Sequence, residues 1–456
     1  MTRHRVTTQW GIVATLAAVF GCNSPTNPDL NNPTLQSATG APTLATVKAL
    51  AQGLLFGTRT EMPNFIFMDG TLGREGYCLC NNEPRFISEL LIGPIDPGSL
   101  GGDIFLWRNP YKNIRSANLL LHAVAAVPGF TDAQRSATKG FAETIQANDF
   151  LQVLNARDSA GIPMAVDRDP SAPPAPIKLA PEALDSIAKL LDDAATQLAA
   201  GGAAFPFQLT SGFAGFDTPA TFSQVNRALR ARVAIYQMDF PTALTALAGS
   251  FLSTSAPLTL GAYHVYSTNP GDALNPLYDP SATQYFAHPS FVTDAQTRSD
   301  GSPDLRVAAK VTVVTPHTLE GVTSDLSIIV YDSPTAPIPM IRNAELILLR
   351  AEANIGLGHR TDAINDINII RVQDGGLAPL DASFSGDLLG ELLYEKRYSL
   401  FWEDGHRLID WRRYGRLLQL PRDLPTHKII SHFPIPQAEC LPRNPVPAGC
   451  APVAGQ

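Results

Sequence analysis

The sequence has few cysteines, few charged residues and no excess of positive charge. Only 5 of its 456 residues are cysteine, 17% are charged, and the formal net charge is −8 at pH 7. This charge balance argues against nucleic acid as a partner, because proteins that bind nucleic acids carry a basic surface. Beyond the N-terminal region, no apolar run approaches the roughly 20 residues that a transmembrane helix requires.

The sequence also lacks the motifs that mark common hydrolases and metalloenzymes. Neither G-x-S-x-G nor HExxH occurs, and the nine histidines are scattered along the chain. We therefore predict no catalytic residue, no metal site and no cofactor, and we expect a protein that is not an enzyme. A glycoside hydrolase of the cell envelope stays open as an alternative, because its two carboxylates need no fixed sequence motif.

Proline and glycine are abundant, with 38 and 34 residues, which predicts long loops. One pattern occurs twice: LRA at residues 229–231 precedes Ala243, and LRA at residues 349–351 precedes Ala363 at the same offset. Small residues at these places allow two antiparallel helices to approach closely, as in tetratricopeptide repeats. The sequence thus predicts a mainly α fold, with tetratricopeptide-like helical pairs forming a scaffold with long irregular loops.

Further helices are expected where apolar residues recur at helical spacing. They cover residues 111–127, 138–154 and 181–200, and Pro181 suits the first turn of the third. Thr361 is predicted to cap the second helix of its pair.

The N-terminal sequence is typical of an export signal followed by a tether. Arg3 and Arg5 precede a short apolar stretch that ends at Cys22. We interpret residues 1–21 as a signal peptide, 22–45 as a flexible tether and 46–456 as the helical domain. The ending VFGC resembles a bacterial lipobox, which implies lipidation of Cys22. A plain signal peptide, with Cys22 an ordinary thiol, is the alternative.

The remaining cysteines fall into two pairs. Cys440 and Cys450 could close a short disulfide loop in an oxidising envelope. Cys78 and Cys80 are too close for an easy mutual disulfide, so a structural or cross-paired role is favoured over half of a metal site.

Several stretches, taken in order, resemble one protein family. They are LWRNPYKNIRSANLLL from residue 106, GFAETIQANDFLQVLNARDSAGIPM from 140, PEALDSIAKLLDDAATQL from 181, TFSQVNRALRARVAIYQMDFPTAL from 221, NAELILLRAEANIGLG from 343, ELLYEKRYSLFWEDGHRLIDWRR from 391 and FPIPQAE from 433. The sequences of these stretches and their order along the chain resemble the SusD/RagB family of outer-membrane nutrient-binding lipoproteins. The C-terminal signature region of that family would cover residues 340–440 here. The tract 251–339 shows little recognisable similarity to the family.

The charged part of this region resembles the structural signature of the family. Its residues are Glu395, Arg397, Glu403, Gly405, Arg407, Asp410, Arg412 and Arg413. Lys396 and Ser399 depart from the pattern, where Arg and Glu are commoner. Buried charges are tolerable only when they are paired, so we predict a structural clamp, here the set Glu395, Arg397, Glu403, Arg407, Asp410 and Arg413. An acid/base role for Glu403 and Asp404 is the weaker reading.

The resemblance implies a function and a partner. It implies a lipid-anchored protein of the bacterial outer membrane, on the cell surface, that binds an oligosaccharide or other nutrient. The nutrient would pass to a SusC-like TonB-dependent transporter. A purely structural helical-repeat adaptor is a further alternative. By position in the family, Trp107, Tyr111, Arg74 and Tyr77 are the candidate ligand contacts, although each could equally be a packing residue.

Overall fold

The computed structural model describes residues 40–100, 105–169 and 171–456. The predicted signal peptide, the lipidation site Cys22 and most of the tether lie outside the described residues. Described elements begin with a helix at Leu44.

Fifteen α-helices are found in the described residues. They are α1 (Leu44–Thr60), α2 (Met62–Leu72), α3 (Arg85–Ile87), α4 (Arg108–Ala126), α5 (Asp132–Arg157), α6 (Ala180–Ala199), α7 (Pro219–Tyr236), α8 (Phe240–Ala248), α9 (Ser290–Thr293), α10 (Leu305–Lys310), α11 (Asn343–Gly356), α12 (Arg360–Gln373), α13 (Leu388–Ser399), α14 (His406–Arg413) and α15 (Gln437–Cys440). A π-helical turn covers Ser88–Ile92. The prediction of a mainly helical fold is confirmed.

Polar side chains set the starts of several long helices. Thr43, Thr131 and Thr218 precede α1, α5 and α7, and each accepts a hydrogen bond from a backbone amide of the first turn. Such caps satisfy amides that have no partner inside the helix. Thr361 does not act in this way, because α12 begins at Arg360 and Thr361 lies inside its first turn.

The long helices pack against one another in sequence order as a series of pairs. Contacts join α1 to α4, then α4 to α5, α5 to α6, α6 to α7, α7 to α8, α8 to α11 and α11 to α12. Ala243 and Ala363, the small residues of the repeated pattern, are fully buried. A Cβ at Gly140 would lie 2.7 Å from the Ala194 carbonyl oxygen, so glycine permits the close approach of α5 and α6.

The tract 251–339, whose sequence shows little similarity to the family, forms most of the strands. The strands are β1 (Gly76–Cys78), β2 (Ile162–Pro163), β3 (Ile177–Lys178), β4 (Gly261–His264), β5 (Tyr285–Ala287), β6 (Val311–Leu319), β7 (Val322–Ile328) and β8 (Ile338–Arg342). One antiparallel sheet has the order β1-β5-β7-β6, and β2 pairs with β3 and β4 with β8. This sheet and α2 enclose a second core around Trp402, whose side chain is fully buried.

Two disulfides occur in the described residues. One joins Cys440 to Cys450, the pair that the sequence suggested. The other joins Cys78 to Cys80, contrary to the expectation that these residues are too close. Strand β1 ends at Cys78, and the two Cα atoms lie 5.1 Å apart, a separation that a disulfide can bridge.

The long helices of the described part are amphipathic scaffold elements. None of them combines the length and the apolar character that crossing a bilayer would demand.

Candidate functional site

Trp107 and Tyr111 lie together at the start of α4. Their ring centroids are 4.7 Å apart with the planes tilted by 43°. The Tyr111 hydroxyl donates a hydrogen bond of 2.8 Å to the Pro163 carbonyl oxygen, which ties the ring to β2. Burial, together with the charge of Glu439, raises the pKa of Tyr111 well above its usual range, so the hydroxyl remains a proton donor. The side chain of Trp107 is only 8% exposed.

Both rings line a cavity of about 310 Å³, the Trp107–Tyr111 pocket. Its other walls come from α4, from the proline-rich loop after β2, and from α15. The lining residues are Trp107, Tyr111, Arg115, Pro163, Val166, Arg168, Asp169, Ala172, Pro173, Pro174, Ala175 and Glu439. A 2.7 Å hydrogen bond from Arg443 to the Ala175 carbonyl oxygen fastens the proline-rich loop to the α15 segment.

The polar rim of the pocket includes Arg168, a cation without a partner among the described residues. Asp169 accepts hydrogen bonds from Ser171, and Glu439 is paired with Arg443. Arg115 lies 3.5 Å from Asp167. The guanidinium of half-buried Arg168 makes no hydrogen bond or ion pair to any described residue. Arg168 is therefore free to donate to a ligand in the pocket.

A buried arginine supports the aromatic floor. The guanidinium carbon of Arg157 lies 5.4 Å from the Trp107 ring centroid, in cation–π contact. Arg157 is fully buried and donates to the Phe105 carbonyl oxygen over 3.1 Å. Burial lowers the pKa of Arg157 to about 9, with Asp69 acting in the opposite direction. The Trp107 ring is thus packed between the interior and the pocket rather than freely exposed.

Arg74 is not at the pocket. Its side chain is fully buried and donates to four carbonyl oxygens, those of Thr71, Leu72, Pro421 and Lys428. These bonds fasten the segment after α14 onto the end of α2. The structure therefore places the predicted ligand contact Arg74 inside the fold, where its guanidinium is enclosed by backbone acceptors.

Tyr77 is also buried, in the first strand of the sheet. Its hydroxyl donates to Asp423, whose other oxygen lies 2.9 Å from His288 Nε2. Burial opposes ionisation of Asp423, but the hydrogen bonds from His288 and Tyr77 lower its pKa to about 2. Tyr77 therefore holds a polar contact inside the fold, and the prediction that it meets a ligand is not matched by its position.

The clamp residues are paired mainly with partners far away in sequence. Glu395 accepts from Arg306 over 2.6 Å and from Arg371 over 3.2 Å. Glu403 accepts from Arg342 over 2.8 Å and lies 3.4 Å from Lys310. These bonds fix α13 and the segment after it to α10, α12 and the end of β8.

A second group of clamp charges joins α11, α13 and α14. Asp410 lies 3.1 Å from the Lys396 ammonium and 2.7 Å from Arg413. Arg413 also pairs with Glu352 over 2.6 Å. Lys396 bonds to Glu352 as well. Despite the cost of burial, these cations keep the pKa values of Asp410 and Glu352 below their usual ranges.

Arg397 and Arg407 are bound differently from the rest of the clamp. Arg397 pairs with Asp294 over 2.8 Å. Arg407 has no carboxylate within ion-pair distance among the described residues and donates instead to the Arg74 carbonyl oxygen over 2.6 Å. Its guanidinium carbon lies 5.1 Å from the Trp411 ring centroid. Burial lowers the pKa of Arg407 to about 9.

Glu403 and Asp404 do not form an acid/base pair in this arrangement. Helix α13 ends at Ser399, so both lie in a turn rather than on a helix. Glu403 forms an ion pair with Arg342, whereas Asp404 pairs with Arg232 over 3.3 Å. Ser399, which departs from the family pattern, accepts from Arg306 and donates to Asp374.

The pocket contains functional candidates that the sequence did not single out. Arg168 and Asp169 come from the loop after β2, and Glu439 comes from α15. The proline-rich stretch APPAP at residues 172–176 was the available signal, because such loops are where binding residues concentrate.

Comparison with known proteins places the fold. Residues 290–439 match the model of the SusD family. No curated protein sequence gives a significant match. Among solved structures, a SusD superfamily protein from Bacteroides vulgatus ATCC 8482 is 18% identical with a TM-score of 0.64, over 89% of this chain and 98% of its own.

Two further solved structures share the fold. A laminarin-binding SusD-like protein is 15% identical with a TM-score of 0.60, over 89% of this chain and 98% of its own. NanU of B. fragilis is 15% identical with a TM-score of 0.62, over 93% of this chain and 99% of its own. Residues 290–439 thus match the SusD family model, and the chain shares its fold with SusD-like proteins over most of its length.

Proposed function

We propose that this protein binds an oligosaccharide in the Trp107–Tyr111 pocket. The observation that carries the proposal is an aromatic floor beside a guanidinium with no partner among the described residues, that of Arg168. A sugar ring has apolar C–H faces that pack on aromatic rings and hydroxyls that need hydrogen-bonding groups. One of the similar solved structures is named as laminarin-binding, which supports a carbohydrate as the class of ligand.

The proposal extends to the location and the partner. The match of residues 290–439 to the SusD family model and the lipobox-like ending at Cys22 support a lipid-anchored protein of the outer membrane. Several acyl chains would suit a stable anchor. In this role the protein would pass its ligand to a SusC-like TonB-dependent transporter at the cell surface.

The binding proposal is tested with a glycan array, followed by calorimetric titration of each positive oligosaccharide. We expect binding that Arg168→Gln weakens while thermal unfolding is unchanged. Release of reducing sugar by the purified protein would instead favour the glycoside hydrolase. Recovery of a transporter without any glycan binding would favour the structural adaptor.

The anchor is tested separately. We expect acyl mass on the mature N-terminus of the wild type and its absence in Cys22→Ala, which should be released as a soluble protein. An unmodified N-terminus in the wild type, measured by intact mass, would contradict lipidation.

A further inference from the structure

A second cavity lies beside α1. It has a volume of about 570 Å³ and is bounded by the last turns of α1, by the segment 208–213 and by β4. It shares no lining residue with the Trp107–Tyr111 pocket. Its volume falls in the range of ligand-binding clefts.

One aromatic wall of the second cavity is unusually exposed. The side chain of Phe56 is 47% exposed, whereas every other phenylalanine in the described ranges is buried or half-buried. The guanidinium carbon of Arg59 lies 4.7 Å from the Phe56 ring centroid and holds the ring in cation–π contact. Tyr263 and Phe213 add further aromatic surface to the lining. An apolar ring is thus presented to whatever occupies the cavity.

Three amide side chains around the cavity are unused. Gln52, Gln208 and Asn269 line it, and their side-chain amides make no hydrogen bond to any residue that the structure describes. An amide offers both donors and an acceptor, as a sugar hydroxyl does. The cavity therefore combines the aromatic surface and the hydrogen-bonding groups that a polyhydroxylated ligand needs.

The charges of the cavity cancel. Arg59 is ion-paired with Asp272 and donates to the Val265 carbonyl oxygen. His264 is almost fully buried, and burial with the nearby charges of Arg59 and Arg232 lowers its pKa to about 3. The imidazole is therefore neutral at physiological pH. In contrast to the Trp107–Tyr111 pocket, with its unpaired Arg168, this lining offers no free charge for an ionic ligand.

We propose that the cavity walled by Phe56, Gln52 and Gln208 is a second binding site, and that it takes a neutral saccharide. The site goes beyond the proposed function, because it needs no contact with Trp107 or Tyr111. A chain with both sites could hold two segments of one glycan or two separate glycans.

The test is calorimetric titration with three neutral probes, laminarihexaose, maltohexaose and cellohexaose, together with crystals soaked in each. We expect saccharide density against Phe56, and an affinity at this site that falls about tenfold in Phe56→Ala, which corresponds to about 1.4 kcal/mol. Gln208→Ala should weaken the same site. Arg168→Gln should leave it unchanged, since that variant alters only the Trp107–Tyr111 pocket.

Phe384→Ala is the matched control. Phe384 also carries an arginine on its ring, with the Arg360 guanidinium carbon 5.8 Å from the centroid, but it lies outside the cavity. If none of the three probes enters the cavity, or if Phe56→Ala and Phe384→Ala bind them equally, the second site is refuted. Those results leave the proposed function standing, because it is tested through Arg168.

Discussion

The clamp and the Trp107–Tyr111 pocket both contain charged side chains, but the two sets serve different purposes. In the clamp, carboxylates such as Asp410 and Glu403 are buried and each meets cations at hydrogen-bond distance. At the pocket, Arg168 is half-buried and has no partner in the described part of the chain. A charge that is paired with opposite charges inside the fold holds elements together, whereas one left unpaired at a cavity is available to a ligand.

The largest effect is expected from breaking the clamp. Asp410→Ala should lower the free energy of unfolding by about 3–5 kcal/mol, because Lys396 and Arg413 would each lose a buried carboxylate. Chemical denaturation measures the change. Asp193→Ala is the control, since its pair with Lys189 is exposed and should contribute at most about 1 kcal/mol. Equal effects of the two variants would contradict the clamp.

A pH-dependent effect is expected beside the clamp. Asp69 is buried and no cation among the described residues bonds to it, and burial raises its pKa from 3.8 to about 7. The native state therefore holds a proton that the unfolded state releases, so this group destabilises the fold progressively as pH rises between those two values.

Asp69→Asn tests that effect. The variant should gain stability relative to the wild type as pH rises from about 5 to about 8, measured by denaturant titration at both values. Asp387→Asn is the control, because the hydrogen bond from the Gly390 amide lowers the pKa of Asp387 instead. A stability difference between Asp69→Asn and wild type that does not change with pH would show that Asp69 is not protonated in the fold.

A smaller effect is expected from the aromatic floor. Tyr111→Phe keeps the ring but removes the hydrogen bond to the Pro163 carbonyl oxygen, so it should cost about 1 kcal/mol of stability. Trp107→Ala is a poorer probe, because an 8% exposed ring should cost about 3–5 kcal/mol when truncated. Thermal melts of the two variants measure the difference. Comparable melting temperatures would show that Trp107 is not part of the core.

The smallest effect on stability is expected from Arg168→Gln. The guanidinium has no bond to lose among the described residues, so the free energy of unfolding should change by less than about 0.5 kcal/mol. Affinity for a bound glycan should nevertheless fall. Arg298→Gln serves as the control, since Arg298 is also half-buried but is bonded to Ser302. Lower glycan affinity in Arg298→Gln but not in Arg168→Gln would remove Arg168 from the site.

Sequence alone determined the features that depend on neighbouring residues. The helical pairs follow from apolar spacing and from small residues such as Ala243 and Ala363, which are local patterns. Crowded charges among apolar residues at 391–417 also indicated that charged side chains would be buried and would need partners. The fold class and the need for charge pairing could therefore be predicted, whereas partners such as Arg306 and Arg342 lie far away in the chain and could not.

Tertiary structure alone decided which candidates face a ligand. Arg74 and Tyr77 look like loop residues in sequence, yet residues 421–428 fold over them and take up their polar groups. Trp107 and Tyr111 form a pocket only because β2, the proline-rich loop and Glu439 come together there. Burial and pairing between segments hundreds of residues apart depend on chain packing, and a local pattern carries no record of that packing.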